Sequence, residues 1–428
     1  MQDRYRRLVL EHVHVAGKLH PGLSALPGLN DSFASVQAAW RFYGNERITL
    51  PVLVEPLQEA AQRWRQRSES APGLVVHDWS SLKYPGHKSK KDQARLSKDN
   101  DRGYELSTAL LVDGDSGDPV AALEMRLLAA KKVYSTRMPA PRCSAYRIDQ
   151  VLPTLQSVGE LNLGPLVHVI DREADSVDHY RQWHAAGHQF LVRADGERIV
   201  RWEGQEIALA DLDGRLHQRE EFRRSRDVLH KGERAIQHVA ETAVILDRPA
   251  YQNRRRGGKT VKKRVPGPPI ALRLIISRVC NARGETRAVW YLLTNVPPSR
   301  AALATVALWY YWRWRIESYF KLLKSAGLQL EHWQQETGRA IAKRLLVASM
   351  ACVLVWKLER DTSAEAATLR ELLVKLSGRL MKRGKECTAP ALLAGLRVFL
   401  AMMAVLDHHN LEELRELREV FLSQNDTG

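Results

Sequence analysis

The spacing of hydrophobic positions changes several times along the chain, and each change marks a different kind of element. Residues 1–70 read mostly as helix: positions 35–43 carry Val36, Ala39, Trp40 and Phe42, with Arg41 among them and Asp31-Ser32 as a start signal. A small basic helical module suits DNA contact, and it equally suits a cap on the next domain. From residue 74 the texture turns to strands. Leu74-Val75-Val76-His77 is a short apolar run, and 106–112 and 121–127 are two more. Between the last two, Asp113-Gly114-Asp115-Ser116-Gly117 predicts the turn of a hairpin. A helix is expected over 146–158, kinked or split at Pro153. Leu166-Val167-His168-Val169-Ile170 has the texture of a buried central strand. A helix over 176–186 and a strand over 189–193 follow. Three strands, helix, strand, helix and strand argue for an α/β layered sheet.

Residues 196–284 break that rhythm. They are polar, with strand-like pieces at 239–246 and 270–276 around the basic runs Arg254-Arg255-Arg256-Gly257-Gly258-Lys259 and Lys262-Lys263-Arg264. This predicts a β-rich insertion with an exposed basic loop. A strand at 288–294 resumes the core, and one long helix is expected over 299–325. Helices are then expected over 341–358, 364–376, 389–406 and 411–422. There is no internal repeat and no phosphate-binding loop of the G-x-x-x-x-G-K-[ST] kind, which argues against that class of ATPase.

Composition narrows the partners. Lys and Arg number 65 against 49 Asp and Glu, a formal charge of +16, and such a balance favours polyanions. Cys143, Cys280, Cys352 and Cys387 are scattered, with no zinc-type pair, as in a reducing compartment. The first residues lack the apolar core of a signal peptide, and the apolar stretch 345–356 is too short to span a membrane. A soluble cytoplasmic protein with no membrane partner is the expectation.

The candidate chemistry lies in three acids. Asp78 follows the apolar run 74–77 and Asp171 follows the run 166–170. If those strands are neighbours, both carboxylates emerge at the same end of the sheet, where open α/β sheets place their ligands. Two close carboxylates repel unless a cation sits between them, and hard oxygen ligands suit magnesium or manganese. Singly, an Asp after a strand is more often a turn or helix cap; it is the repeated placement that argues for a site. The 299–325 helix adds Tyr310, Arg313, Glu317 and Lys324. At about 100° per residue these point roughly to 0°, −60°, −20° and −40°, so they share one face, with the outer pair about 21 Å apart. An acid, two bases and a phenol make a poor core face. They suit gripping a metal and successive phosphates, although a solvated charged face has the same pattern. Trp309, Trp312, Trp314, Tyr319 and Phe320 point elsewhere and are expected to pack.

Asp171-Arg172-Glu173-Ala174-Asp175 and the ungapped Y-x2-R-x3-E-x6-K spacing of Tyr310, Arg313, Glu317 and Lys324 resemble the signatures of the bacterial cut-and-paste transposases of the insertion-sequence-four family. His77-Asp78-Trp79-Ser80 stands where that family has its first acid. The resemblance covers roughly residues 30–335; it is weak at the N-terminus and faint beyond 340. It implies a DDE enzyme with a ribonuclease-H-like catalytic core. Asp78, Asp171 and Glu317 would hold two Mg2+ ions (Mn2+ is an alternative), and Tyr310, Arg313 and Lys324 would grip DNA near the cut. Trp290 matches an aromatic that stacks on a flipped base in a relative; a buried strand tryptophan is the other reading. Arg193 matches a DNA-contacting arginine. The 145 residues between Asp171 and Glu317 fit the family's β-rich insertion.

On this resemblance the chain divides into a helical N-terminal DNA-binding region (1–70), a catalytic domain (71–335) with its insertion at about 196–284, and a helical C-terminal region (336–428). The expected reaction is water attack at a transposon end, hairpin formation by the freed 3′-hydroxyl, reopening, and joining to target DNA. Binding both terminal inverted repeats implies a dimer on double-stranded DNA, with the C-terminal helices as candidate contacts. Two rivals stand beside this: another metal-dependent nuclease of similar fold, and a non-catalytic DNA-binding descendant of a transposase.

Overall fold

The computed structural model describes residues 2–14, 32–68, 72–96, 101–140, 147–230, 232–256, 259–324, 327–381 and 385–423. Asp31, Cys143, Tyr146 and Ser325 lie outside them, as do residues 257–258 of the basic run and the side chains of 252–263.

Three helices open the chain: α1 (Gln2–His14), α2 (Ser32–Gly44) and α3 (Leu50–Arg67). Leu50, Leu53, Val54, Leu57, Ala60, Ala61 and Trp64, spaced at the helical period, form the buried stripe of α3. Strands follow: β1 (Gly73–Lys83), β2 (Ala94–Arg95), β3 (Arg102–Asp113), β4 (Pro119–Leu128) and β5 (Val133–Ser135). The predicted hairpin is β3–β4. Its turn is closed by Asp113, whose Oδ1 accepts the Asp115 and Ser116 amides at 2.8 and 2.9 Å. Then come α4 (Val151–Gly159), preceded by a 3-10 turn at Ile148–Gln150, β6 (Leu166–Ile170), α5 (Val177–Ala185) and β7 (Gln189–Ala194). Pro153 does not split α4. It lies in the first turn, where its missing N–H has no helical partner to lose.

β4, β3 and β1 are antiparallel neighbours, while β1, β6 and β7 run parallel, giving the order β5-β4-β3-β1-β6-β7. The next segment contributes β8 (Ile199–Trp202), β9 (Gln205–Ala208), α6 (Leu209–Gln218), β10 (Arg223–His230), β11 (Glu233–Leu246), β12 (Ala250–Arg256), β13 (Lys259–Val265) and β14 (Ile270–Cys280); β15 (Thr286–Thr294) follows. These strands do not stand apart from the core. β15 pairs with β7, and β14, β11, β8 and β9 carry the sheet onward to thirteen strands. Among the described residues, β12 and β13, which hold the basic run, form a separate two-stranded ribbon.

The chain closes with α7 (Leu303–Trp312), α8 (Trp314–Leu323), α9 (Gly338–Arg360), α10 (Ala364–Leu376), α11 (Ala389–Leu406) and α12 (Leu411–Ser423). α9 is apolar nearly all round because it is enclosed, packing on α1, α3 and β4. One buried cluster joins Leu8, Leu57, Val75, Val353 and Leu393, and a second takes in Trp183, Phe190, Leu212 and Ile276. The apolar run weighed as a span, 345–356, lies within α9. Among the described residues α11, at 18 residues and mean hydropathy 2.0, is nonetheless long and apolar enough to cross one. It buries Leu392 and Leu393 and exposes Met402 and Met403. The described cysteines, Cys280, Cys352 and Cys387, form no disulfide.

Candidate active site

The parallel pairing of β1 with β6 sets the site. Its register runs from Gly73 opposite Leu166 to His77 opposite Ile170, so the next residues, Asp78 and Asp171, fall side by side. β1 does not stop at His77, as its apolar run suggested. It continues to Lys83 against β3, with Asp78 opposite Thr108, because antiparallel pairing persists after β6 has ended. Asp78 is therefore held within a strand, its Oδ1 accepting the Trp79 amide at 2.7 Å. Asp171 caps a 3-10 turn, with its Oδ1 accepting the Arg172 amide at 2.7 Å. The rest of that motif braces the turn. Asp175 is held by Arg198 at 3.0 Å and by the Tyr180 hydroxyl at 2.9 Å, and Glu173 pairs with Arg147 at 3.0 Å. His77 and His168 face away from the acids by strand alternation and lie 3.0 Å apart. Burial drives the His77 ring down to about 3, so it is neutral.

The third acid arrives on a broken helix. The expected single helix over 299–325 is two, α7 and α8, meeting at Arg313. There the bonds tighten to i→i+3: the Arg313 amide donates to the Tyr310 carbonyl and the Ile316 amide to that of Arg313. The β3–β4 turn anchors this junction from one side. Trp309 Nε1 donates to the Gly114 carbonyl at 2.9 Å and Arg315 Nε to the Gly117 carbonyl at 2.6 Å. Trp312 lies so close over Gly117, which has φ +72°, that a Cβ there would sit 2.3 Å from the indole. No local sequence signal ties that turn to this helix, and these anchors were missed.

From the other side the helix delivers its polar face. Arg313, only 8% exposed, donates from Nη1 to Asp78 at 3.2 Å and from Nη2 to Glu317 at 2.8 Å, with Asp171 3.5 Å away. Tyr310 donates its hydroxyl to Asp171 at 3.0 Å, and Arg193 stands 3.7 Å from the same carboxylate. Trp290 meets Tyr310 edge-on, with centroids 5.5 Å apart. Lys324 departs from the expected stripe. It follows the end of α8 and reaches back to the Ser81 carbonyl of β1 at 2.5 Å. Trp314, expected to pack, is 62% exposed, since the bend at Arg313 turns it outward.

The charges are strongly coupled. Burial pushes the Asp78 carboxyl up to about 6, and Glu317 and Asp171 add to the rise against the pull of the Trp79 amide and Arg313. Burial also acts upward on Asp171. Arg313, the Arg172 amide, the Tyr310 hydroxyl and Arg193 outweigh it and hold that carboxyl below its ordinary value. Burial opposes the charge on Arg313, yet Asp171, Tyr310, Asp78 and Glu317 outweigh it, so the guanidinium holds its proton more tightly than an ordinary arginine. Among the described residues no three acids, histidines or cysteines stand close enough to hold one metal ion, because the guanidinium lies between the carboxylates. The donor set itself is all hard oxygen, with a buried carboxylate that gains from a cation; its chemistry suits Mg2+ or Mn2+, and Arg313 is the cation among these carboxylates here.

An α/β sheet that pairs two acids on parallel strands, with a helix bringing a third acid and cations across them, defines a class of domain suited to phosphodiester chemistry. Residues 69–354 match the family described as Transposase DDE domain, which is more than half of the 428 residues, and the chain belongs to that family of transposases. No curated protein matches the chain.

Proposed function

We propose that this transposase cleaves and joins transposon ends with Asp78, Asp171 and Glu317 as one catalytic, cation-holding triad on a ribonuclease-H-like core. The observation that carries the reading is the β1–β6 register, which puts Asp78 and Asp171 side by side, with Arg313 linking both to Glu317. The order β4-β3-β1-β6-β7, antiparallel then parallel, supports the core assignment. Divalent ions held there would activate the attacking oxygen and neutralise the leaving one. Arg313 would exchange its carboxylate partners for a DNA phosphate, a charge-assisted pairing of the same kind. Tyr310 orients Asp171, while Arg193 and Lys324 flank the cut strand. Trp290, beside Tyr310, would stack on a base extruded while the freed 3′-hydroxyl forms a hairpin. The Y-R-E-K spacing supports placing the chain in the insertion-sequence-four branch, where it would act as a dimer on its terminal inverted repeats.

The test is to incubate the protein and Mg2+ with duplex oligonucleotides copied from the DNA bordering its gene, and to resolve products on a denaturing gel. A nick at one position followed by a hairpin-length product is expected. Cleavage without hairpin or joining would favour a plain nuclease, and binding without cleavage a non-catalytic descendant.

A further inference from the structure

Past Lys324, the same stretch of β1 runs into a cavity of about 590 Å3 whose lining includes Lys83, His87, Lys88, Lys90 and Arg102, with Asp101 as the acid among its described residues. That volume suits a nucleotide-sized group. The cavity wall is rigidly built. The chain turns at Gly86, with φ +80°, and is buttoned to the segment before α9. Tyr84 donates its hydroxyl to the Leu330 carbonyl at 3.1 Å. Lys90 turns inward, giving its ammonium to the Trp333 and Gln335 carbonyls at 2.7 and 2.8 Å. Asp92 accepts from the Tyr104 and Tyr134 hydroxyls and the Gly338 amide, all within 3.1 Å. Lys83 is paired with Asp101 at 2.7 Å. Lys88 and Arg102 are exposed and have no ion-pair partner among the described residues. A fixed scaffold thus presents two uncompensated cations at the cavity mouth.

Their place in the fold says what they meet. β1 rises about 3.3 Å per residue, so Ser81, where Lys324 docks, lies about 10 Å from Asp78, and Lys83, opposite Gly103 and so beside Arg102, about 17 Å. Cations at such intervals leading away from three acids match a phosphate track. One DNA strand offers a phosphate every 3.4 Å of helix axis, so 17 Å corresponds to about five positions. We propose that the cavity at Lys88 and Arg102 binds the sugar-phosphate backbone of the end DNA about five phosphates from the cut. It would fix which phosphate reaches the acids. This rests on the reading that the cut occurs at Asp78, Asp171 and Glu317.

The experiment is a cycle between protein and DNA charges. Wild type and the Lys88→Gln/Arg102→Gln variant are tested by gel shift on duplexes copied from the DNA bordering the gene. Each duplex carries one uncharged methylphosphonate, stepped through the seven positions on either side of the cut. The variant should lose about 2 from the log affinity–log salt slope and, at saturating DNA, spread its nicks over neighbouring phosphates where wild type nicks at one. One methylphosphonate, near the fifth position, should weaken wild type severalfold and leave the variant unaffected. Losses that add at every position, or an unchanged salt slope, overturn the inference while leaving nicking by wild type intact. Failure of wild type itself to nick any of these duplexes removes the catalytic reading and this inference with it.

Discussion

Replacing Asp78 by Asn should abolish cleavage and stabilise the metal-free protein, in a manner that depends on pH. The carboxyl is mostly buried, its side chain 21% exposed, and burial raises it from 3.8 to about 6 despite the Arg313 guanidinium 3.2 Å away. A folded-state value above the unfolded one means that the folded protein holds this proton longer. Stability linked to Asp78 is fully present below pH 3.8 and is lost as pH rises through about 6. The loss is about 3 kcal/mol above pH 7 and only about 1 kcal/mol at pH 4.5, taking 1.36 kcal/mol per unit. Asn keeps the shape, can accept the Arg313 N–H through its amide oxygen, and carries no charge to desolvate. Urea denaturation with a chelator present, at pH 8 and pH 4.5, reads the difference. The variant should gain about 3 kcal/mol at pH 8 and about a third of that at pH 4.5, and magnesium should narrow the gap at pH 8. An equal gain at both pH values, or a loss at pH 8, would refute the claim that ionised Asp78 is held at a cost until a cation arrives.

Gly117→Val should lower stability by about 2–4 kcal/mol, since φ +72° excludes a branched residue and the new atoms collide with Trp312. Nicking should fall more than DNA binding, and Trp312→Ala should restore part of the stability; a neutral denaturation midpoint would show that the turn does not anchor the α7–α8 junction. Trp290→Ala should nick at nearly the wild-type rate but form few hairpins, as stacking on a flipped base is worth about 1–3 kcal/mol. An abasic site at the extruded position should partly restore hairpins, read by time courses on a denaturing gel; equal loss of both steps without rescue would leave Trp290 a packing residue.

Much of this fold was legible because it is written in local periods. The stripe of α3, the β3–β4 hairpin and the helices α9 to α12 each follow from apolar spacing and turn residues within a single segment. The acids were legible in part: the apolar runs before Asp78 and Asp171 fixed their place in sequence, while their adjacency depends on a β1–β6 pairing that only the sheet reveals. What stayed hidden depends on distant partners. β1 runs past Asp78 because β3 continues beside it, and the helix breaks at Arg313 because the β3–β4 turn and the acids hold it from opposite sides. Lys324 left the predicted stripe for the same reason, since a straight-helix projection assumes that α8 reaches it. Likewise the polar texture of 196–284 predicted strands but gave no sign that β11 and β14 extend the central sheet.

Whether Asp78, Asp171 and Glu317 act as one triad is decided by single-turnover nicking with Mg2+ beside a gel-shift titration. Asp78→Ala, Asp171→Ala and Glu317→Ala should each lose cleavage while binding the end duplex almost as tightly as wild type. A variant that nicks at the wild-type rate, or one whose lost cleavage is fully explained by lost binding, would contradict it.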